Sequence, residues 1–315
     1  MTRATANGKV ILLGEHACVY GAPALAAALD RGATATATPT DGASSLALGA
    51  DTLAPAEAST DDRARAFAAL LAAGSVGSAV HVVASSELPP GGGLGSSAAL
   101  GVAIGRVVTA VRLGHDDEQE AVVRASAWEG VFHGNPSGID VAVASRGGCV
   151  RFVRGAGCDD VAPARDLTLC VGWTGAGAST REMVAGVASL RARKPAVVDR
   201  AVEAVTSLVS NAALALAAGD LQGLGKLMDL NQMVLAGLMV STETIEALCA
   251  LARGAGALGA KLTGAGGGGS VIALAPDDDG ARHILAAWQE AGFSGFSTRV
   301  RARTSGFPPT RGDAA

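Results

Sequence analysis

A run of glycines between a short strand and a long apolar helix is the most restrictive feature of this sequence. Segment 89–99 reads Pro-Pro-Gly-Gly-Gly-Leu-Gly-Ser-Ser-Ala-Ala, after a predicted strand (80–84) and leading into a predicted helix (96–112). Glycine permits positive φ and close approach of a ligand to the backbone. A helix start presents unpaired N–H groups and the positive end of its dipole. The segment therefore predicts an oligophosphate site, with the hydroxyls of Ser96 and Ser97 available to phosphate or a metal ion.

The glycine segment differs from two better-known nucleotide loops. No Gly-Lys-Ser/Thr follows it, as in a Walker A loop, and a serine pair stands at the helix start, unlike in a dinucleotide fingerprint. Glycine content alone leaves an ordinary N-capped helix after a flexible loop as the alternative. The string Gly-Leu-Gly-Ser-Ser-Ala-Ala after a double proline is more specific than that content.

Size and composition limit the partners of such a site. The chain has 315 residues, which suits two lobes. Its net charge is −4 with no basic block, and 3% of its residues are aromatic, which argues against nucleic acid as a partner. An anionic ligand would therefore be held by backbone amides and single basic residues.

The sequence favours a cytoplasmic protein with no membrane partner. No apolar run reaches the ~18 uncharged residues that span a bilayer, and residues 1–8 lack the pattern of a signal peptide. The five cysteines are scattered and form no Cys-x-x-Cys pair. That pattern favours free thiols in a reducing cytosol over disulfides or a metal site.

Hydrophobic periodicity predicts mixed strands and helices in the first half and more helix in the second. The predicted strands are 8–13, 34–38, 80–84, 147–153, 167–173, 260–263, 271–274 and 296–300. The predicted helices are 23–29, 61–73 with Thr60 as N-cap, 96–112, 118–131, 180–191, 197–218, 221–235, 242–253 and 281–291. We expect a first lobe over 1–175, a second over 176–303, and a flexible tail over 304–315.

Three motifs occur in the order and spacing of one enzyme family. Residues 8–16 read Gly-Lys-Val-Ile-Leu-Leu-Gly-Glu-His, the glycine segment follows at 89–99, and residues 261–270 read Lys-Leu-Thr-Gly-Ala-Gly-Gly-Gly-Gly-Ser. Together they resemble the GHMP kinases, which include galacto-, homoserine, mevalonate and phosphomevalonate kinases. The resemblance implies an α+β fold of two lobes with the active site in the cleft between them. The N-terminal lobe would be mixed α/β with a ribosomal-protein-S5-like domain, and the C-terminal lobe ferredoxin-like and rich in helix.

Within that family the sequence is most similar to the mevalonate kinase pattern. Residues 20–24 read Tyr-Gly-Ala-Pro-Ala, where a galactokinase-like chain would show Thr-Asp-Tyr after the histidine. Residues 133–140 read His-Gly-Asn-Pro-Ser-Gly-Ile-Asp, and Thr263 stands where phosphomevalonate kinases tend to carry Ser. Asn7 in place of the usual Pro, and Ser270 in place of the usual Cys, depart from the family. The pattern implies ATP- and Mg²⁺-dependent phosphorylation of the 5-hydroxyl of mevalonate.

The resemblance also assigns roles to individual residues. Asp140 is the expected general base, and Lys9 would lower the hydroxyl's pKa, stabilise the γ-phosphate and keep Asp140 ionised. Glu129 with Ser97, or Ser96, is the expected Mg²⁺ site, since this ion commonly takes one or two protein oxygens besides phosphate. The residues expected to bind ATP are Pro90, Gly91, Gly92, Gly93, Leu94, Gly95, Ser96, Ser97 and Ala98. The residues expected to contact the acceptor are Lys9, Glu15, His16, Tyr20, Asp140, Thr180 and Gly266.

Most of these residues could instead have a purely structural role. Lys9 could end a solvated strand, Glu129 could lie on a helix surface, and Asp140 could cap a turn. His16 could be a satisfied structural histidine and Tyr20 a core residue.

The last glycine run, 266–269, could be a bare turn between strands. Ordering so much flexible backbone costs entropy. The run therefore favours close packing, either against nucleotide phosphates or against the first lobe.

Other functions stay open on the sequence. A sibling kinase for phosphomevalonate, homoserine or a sugar is the nearest alternative, although a phosphorylated acceptor calls for more basic residues than the first motif's Lys9. A diphosphomevalonate decarboxylase is disfavoured by the kinase form of the glycine segment. A non-catalytic metabolite sensor would be expected to have lost Asp140 or Glu129. The oligomeric state is open, and homodimers are common among relatives.

Overall fold

The computed structural model describes residues 1–89, 91–133 and 137–302, and the first half of this chain is built on one mixed sheet. Its strands are β1 (Thr2–Leu13), β2 (Ala24–Pro39), β3 (Ser45–Leu48), β4 (Asp51–Leu53), β5 (Val80–Ser86), β6 (Cys149–Val153) and β7 (Gly157–Val161). Their order is β4-β3-β5-β2-β6-β7, with β1 paired to β2. The long strand β2 connects the sheet, because residues 33–39 pair with β5 and residues 24–27 pair with β6.

A second sheet organises the rest of the described chain. It contains β8 (Leu167–Trp173), β9 (Gly259–Thr263), β10 (Ser270–Ala275) and β11 (Ser294–Val300), all antiparallel, in the order β11-β8-β10-β9. The sequence-based division at residue 175 places β8 in the first lobe, yet this strand pairs with β10 and β11. We therefore propose that the division falls before Leu167.

The helices surround the two sheets, and the second half is helix-rich. They are α1 (Asp62–Ala72), α2 (Ser96–Leu113), α3 (Glu118–His133), α4 (Ile139–Arg146), α5 (Thr180–Arg193), α6 (Pro195–Ala218), α7 (Leu221–Gly237), α8 (Glu243–Gly254) and α9 (Asp278–Glu290), with a short 3₁₀ helix at Ala17–Tyr20. Helix α2 packs on the first sheet and on α3. Glycine lets α3 approach closely, since a Cβ at Gly105 would lie 2.7 Å from the Ala121 carbonyl oxygen. This packing fixes the N-terminus of α2 at the glycine segment.

Two helices, α2 and α6, are long and apolar enough to cross a membrane by composition, with mean hydropathies of 1.3 and 1.5. Helix α2 is a core helix, 56% buried within the fold, while the corresponding window of α6 is 28% buried. Core helices of soluble proteins have the same composition, so this is weak support for a membrane span.

Most predicted elements occur, but some local predictions were wrong. The predicted helix 23–29 is the first part of β2, because residues 24–28 are buried and pair with β1 and β6. The N-cap of α1 is Asp61, whose carboxylate accepts from the Arg63 amide at 2.8 Å, and not Thr60. Four elements, β3, β4, β7 and α4, were not predicted from the sequence. The predicted tail 304–315 lies outside the described residues.

Candidate active site

A cleft of about 660 Å³ brings the three motifs together. Its walls are the end of β1, the glycine segment, the starts of α4 and α5, and the glycine turn 264–269. Sites for small molecules in proteins are commonly clefts of this size.

The glycine segment forms a turn that aims α2 at the cleft. Gly91, Gly93 and Gly95 have φ of 72°, 73° and 72°, a region that side chains disfavour. Helix α2 begins at Ser96, so its free N–H groups and dipole face the cavity. Residues 91–98 all line the cleft, while Pro90, expected to bind ATP, lies outside the described residues.

Lys9 and Asp140 form an ion pair beneath this helix start. Lys9 Nζ lies 3.1 Å from Asp140 Oδ1 and donates to the Gly93 carbonyl oxygen at 3.0 Å. Its backbone amide donates to the Leu94 carbonyl oxygen at 2.8 Å, which ties β1 to the glycine segment. The side chain of Lys9 is nearly buried at 4% exposure, whereas that of Asp140 is 33% exposed and reachable from the cleft.

Local backbone features aim both of these side chains. The pairing of β1 with β2 shifts register between Asn7 and Lys9, and Asn7 Nδ2 donates to the Leu29 carbonyl oxygen at 2.7 Å across that irregularity. Asp140 lies in the first turn of α4, after Gly138 at φ 90°. A carboxylate in the first turn is stabilised by the helix dipole.

Glu129, on α3, lies buried beside the start of α2. Burial raises the pKa of its carboxyl to about 7, although a hydrogen bond from Ser97 opposes that rise. Its Oε1 atom has no hydrogen-bond partner among the described residues. Ser97 Oγ accepts from Trp128 Nε1 at 3.2 Å, whereas Ser96 Oγ lies 3.2 Å from Ser86 Oγ. Of the two serines, Ser97 is therefore the one beside Glu129.

The described residues contain no group of three or more His, Cys, Asp and Glu side chains able to hold a metal ion. A buried, unpartnered carboxylate oxygen beside a hydroxyl nevertheless fits Mg²⁺, which commonly takes one or two protein oxygens and completes its shell with phosphate and water.

Glu15 and His16 line the cleft at the end of β1 and are both buried. Glu15 forms an ion pair with Lys261 and accepts from Asn231 Nδ2 at 3.3 Å. His16 donates from Nε2 to the Ala265 carbonyl oxygen at 2.8 Å, and burial lowers the pKa of its imidazole. Both residues thus connect the first motif to the second lobe.

The remaining acceptor residues are placed differently. Thr180 lines the cleft as the exposed first residue of α5, and Gly266 lines it from the glycine turn. Tyr20 does not belong to the cleft lining drawn from the described residues. The guanidinium of Arg191 lies 4.7 Å from its ring centroid, so Tyr20 packs against α5.

The glycine turn of the third motif packs against the glycine segment of the first lobe. A Cβ at Gly264 would lie 3.2 Å from the Gly93 carbonyl oxygen, and one at Gly93 would lie 3.2 Å from the Thr263 carbonyl oxygen. A Cβ at Gly177 would lie 2.8 Å from the Gly91 carbonyl oxygen. Within the run 266–269, a Cβ at Gly269 would lie 3.4 Å from the Gly92 carbonyl oxygen of the first lobe. Cβ atoms at the other three glycines would instead meet Val240, Met183 and Ala176 of the second lobe. Close packing therefore accounts for the run, but mostly against the second lobe, which neither sequence-based explanation included.

Sequence reasoning missed several polar residues of this region. Arg181 and His133 line the cleft, and Lys261 and Asn231 support Glu15 from behind. Lys261 could have been singled out from the sequence, because it is the one charged residue in the short strand β9.

The cleft combines the glycine segment at the start of α2, the Lys9–Asp140 pair and the carboxylate beside Ser97. This arrangement suits phosphoryl transfer to an alcohol. A model of the GHMP kinases N terminal domain matches residues 63–148, and one of the GHMP kinases C terminal matches residues 212–293. The chain belongs to the GHMP kinase family.

Within the GHMP kinase family, this chain is similar to mevalonate kinases. The mevalonate kinase of Thermococcus gammatolerans is 35% identical over 301 residues, which cover 87% of this chain and 89% of the relative. That of Methanothermobacter thermautotrophicus is 36% identical over 283 residues, covering 87% and 90%. The crystal structure of L. major mevalonate kinase in complex with R-mevalonate is 31% identical, with a TM-score of 0.84 over 97% of both chains. The predicted family resemblance and two-lobe α+β fold are confirmed.

Proposed function

We propose that this chain is an ATP-dependent kinase that phosphorylates the 5-hydroxyl of mevalonate, giving 5-phosphomevalonate and ADP. The observation that carries the proposal is the Lys9–Asp140 pair, 3.1 Å apart, beneath a helix start suited to a triphosphate. The relatives named mevalonate kinase, and the similarity to the L. major enzyme with R-mevalonate, support this acceptor.

The triphosphate would lie on the glycine segment. Backbone amides of residues 91–98 and the dipole of α2 provide positive potential without a cluster of basic side chains. This accounts for phosphate binding by a chain whose net charge is −4.

Asp140 would accept the proton of the acceptor hydroxyl. Lys9 lies next to this carboxylate, and its ammonium can also stabilise charge on the transferred phosphoryl group. A loose transition state needs only partial removal of the proton, so an ordinary carboxylate suffices as base.

Ser97 and Glu129 would hold Mg²⁺. The ion supplies charge neutralisation for the phosphate oxygens when it is bound. The support is the buried Oε1 atom of Glu129, which has no partner in the described part of the chain.

The small number of basic residues in the cleft argues against a kinase that acts on a phosphorylated acceptor. Among the described lining residues, the arginine and lysine side chains are Lys9 and Arg181, and Lys9 is engaged by Asp140. A phosphorylated acceptor would need more cationic partners. A cytoplasmic location and a homodimer remain predictions from the sequence.

The test is ADP release by the purified protein with ATP, Mg²⁺ and R-mevalonate, with ³¹P NMR to identify the product. Matched reactions contain phosphomevalonate, homoserine or galactose. We expect mevalonate to give the highest kcat/KM. If ADP release with mevalonate does not exceed the background, while another alcohol is turned over, mevalonate is rejected as the acceptor.

A further inference from the structure

Ser270, the first residue of β10, carries a buried hydroxyl without a partner. The residue has no solvent exposure, and its Oγ atom makes no hydrogen bond within the described residues. Ser270 is also one of the two positions at which this chain departs from the motifs of its family. A buried hydroxyl that makes no hydrogen bond costs free energy, so its presence here calls for an explanation.

The strand ends around Ser270 face the first lobe. Ser270 pairs with Thr263 of β9 and with Trp173 of β8, so the three side chains lie on one face of the second sheet. The hydroxyl of Thr263 accepts from the Ile11 amide of the first lobe at 2.8 Å. The indole Nε1 atom of Trp173 is buried and, like Ser270 Oγ, has no partner in the described part of the chain. Two unpartnered polar groups therefore lie on neighbouring strands, on the face that meets the first lobe.

The glycine segment passes directly over Ser270. A Cβ at Gly92 would lie 3.4 Å from Ser270 Oγ, and a Cβ at Gly269 would lie 3.4 Å from the Gly92 carbonyl oxygen. This carbonyl oxygen accepts no main-chain hydrogen bond from the residues that the structure describes. It therefore lies against the second lobe, close to a hydroxyl that could donate to it.

The direction of this carbonyl determines the direction of an amide of the glycine segment. The Gly92 carbonyl and the Gly93 amide belong to one planar trans peptide unit, in which they point in opposite directions. A donor that holds the carbonyl toward β10 therefore keeps the amide turned away from the second sheet. The carbonyl of Gly93 itself accepts from Lys9 Nζ at 3.0 Å. Lys9 thus fixes the peptide unit that follows Gly93, and the unit before it is the one that needs a second donor.

We propose that Ser270 is a positioning residue for the nucleotide. When a triphosphate binds, the Ser270 hydroxyl donates to the Gly92 carbonyl oxygen, and the Gly93 amide is held facing the phosphates. The proposal rests on the kinase function proposed above, and it makes a strand of the second lobe part of the phosphate site of the first. It also accounts for the unpartnered hydroxyl, because the partner comes within hydrogen-bonding distance together with the nucleotide.

The test is Ser270→Ala, compared with a matched variant at a second buried hydroxyl. Thr109 is buried on α2, roughly 20 Å along the helix from Ser96. Its Oγ1 atom likewise has no partner among the described residues, and Thr109→Val removes this hydroxyl at nearly constant shape. Neither substitution breaks a hydrogen bond of the structure, so the urea midpoint without nucleotide should not fall in either variant.

The two variants should differ in nucleotide binding. We expect the Kd for the non-hydrolysable analogue AMP-PNP with Mg²⁺, measured by calorimetry, to rise about three- to tenfold in Ser270→Ala, the range of one net hydrogen bond. Thr109→Val should keep the unmodified Kd, and the KM for mevalonate should stay within about twofold in both variants. Ser270→Cys keeps a similar size but offers only a weak donor, so its Kd should rise as well.

Three results would overturn the proposal: an unchanged Kd in Ser270→Ala, an equal rise of the Kd in Thr109→Val, or a urea midpoint that falls in Ser270→Ala alone. The last result would show that the hydroxyl is already bonded without nucleotide, for example to a buried water. Failure of the proposed function is distinguishable, because it would show as an unmodified protein that binds AMP-PNP and does not phosphorylate mevalonate.

Discussion

Gly95→Ala should reduce catalysis by moving Lys9, and the two ends of α2 provide the comparison. Gly95 precedes the helix at φ 72°, and Gly114 follows it at φ 77°. A Cβ at Gly95 would lie 2.9 Å from Lys9 Cγ, whereas a Cβ at Gly114 has no neighbour within 4 Å among the described residues. The two substitutions thus share the backbone strain and differ in the contact with Lys9.

The magnitude follows from these distances. A left-handed conformation costs a non-glycine residue roughly 1–2 kcal/mol, so both variants should lose about this much stability. Carbon atoms prefer separations of about 3.5–4.0 Å, so Lys9 Cγ must move by at least about half an ångström. Its Nζ atom is 3.1 Å from Asp140. Since a misplacement of about 1 Å can cost about 10²-fold in rate, we expect kcat to fall between about 10- and 10²-fold.

The assay is steady-state ADP release at saturating ATP and mevalonate, with urea unfolding of the same preparations. Gly114→Ala should keep the unmodified kcat despite its lower stability, and Gly95→Ala should not. The reasoning is refuted if the two variants retain the same kcat, or if Gly95→Ala differs from Gly114→Ala in stability alone.

Three further predictions concern single residues. Asp140→Asn should lower kcat by at least about 10²-fold with little change in the KM for ATP, as measured by ADP release. Burial raises the pKa of the Glu129 carboxyl from 4.5 to about 7. Between these pH values, in EDTA, the folded protein therefore binds a proton at Glu129 that the unfolded chain releases. The stability that this proton contributes is fully present below pH 4.5 and is lost as the pH rises through 7. Urea midpoints at pH 5 and pH 8 should therefore differ less in Glu129→Gln than in the unmodified protein. Asn7→Ala removes the bond to Leu29 and should lower the free energy of unfolding by about 1 kcal/mol, with urea unfolding as the measurement.

Much of the local structure of the three motifs can be predicted from the sequence, because each motif combines a glycine-rich turn with the end of a helix or strand. Such turns depend on local backbone chemistry, which a short segment reveals. The Ser96 helix start and the strand that leads to Glu15 therefore follow from the residues alone. The resemblance to a known family then predicts that these ends share one cleft.

Features that depend on partners distant in the chain could not be predicted in this way. Residues 23–29 have an alanine- and leucine-rich composition that suits a helix, and they form a strand because β1 and β6 flank them. Tyr20 lies in a motif associated with the acceptor, but its ring packs against Arg191. The buried partner of Glu15 is 246 residues away, at Lys261. Lys261 stands out as the one charged residue of β9, but no local pattern indicates that its side chain is fully enclosed.

The two lobes touch where Gly93 and Gly264 meet through their main chains. A contact between main chains contains no side chain that evolution could shrink. If a mutation placed a methyl group on one of these loops, a substitution on the opposite loop could not restore the fit, since that loop is already reduced to glycine. Compensation would have to change the length or path of a loop. Chimaeras that exchange whole lobes between related kinases should therefore tolerate differences in side chains at this seam more readily than differences in loop length.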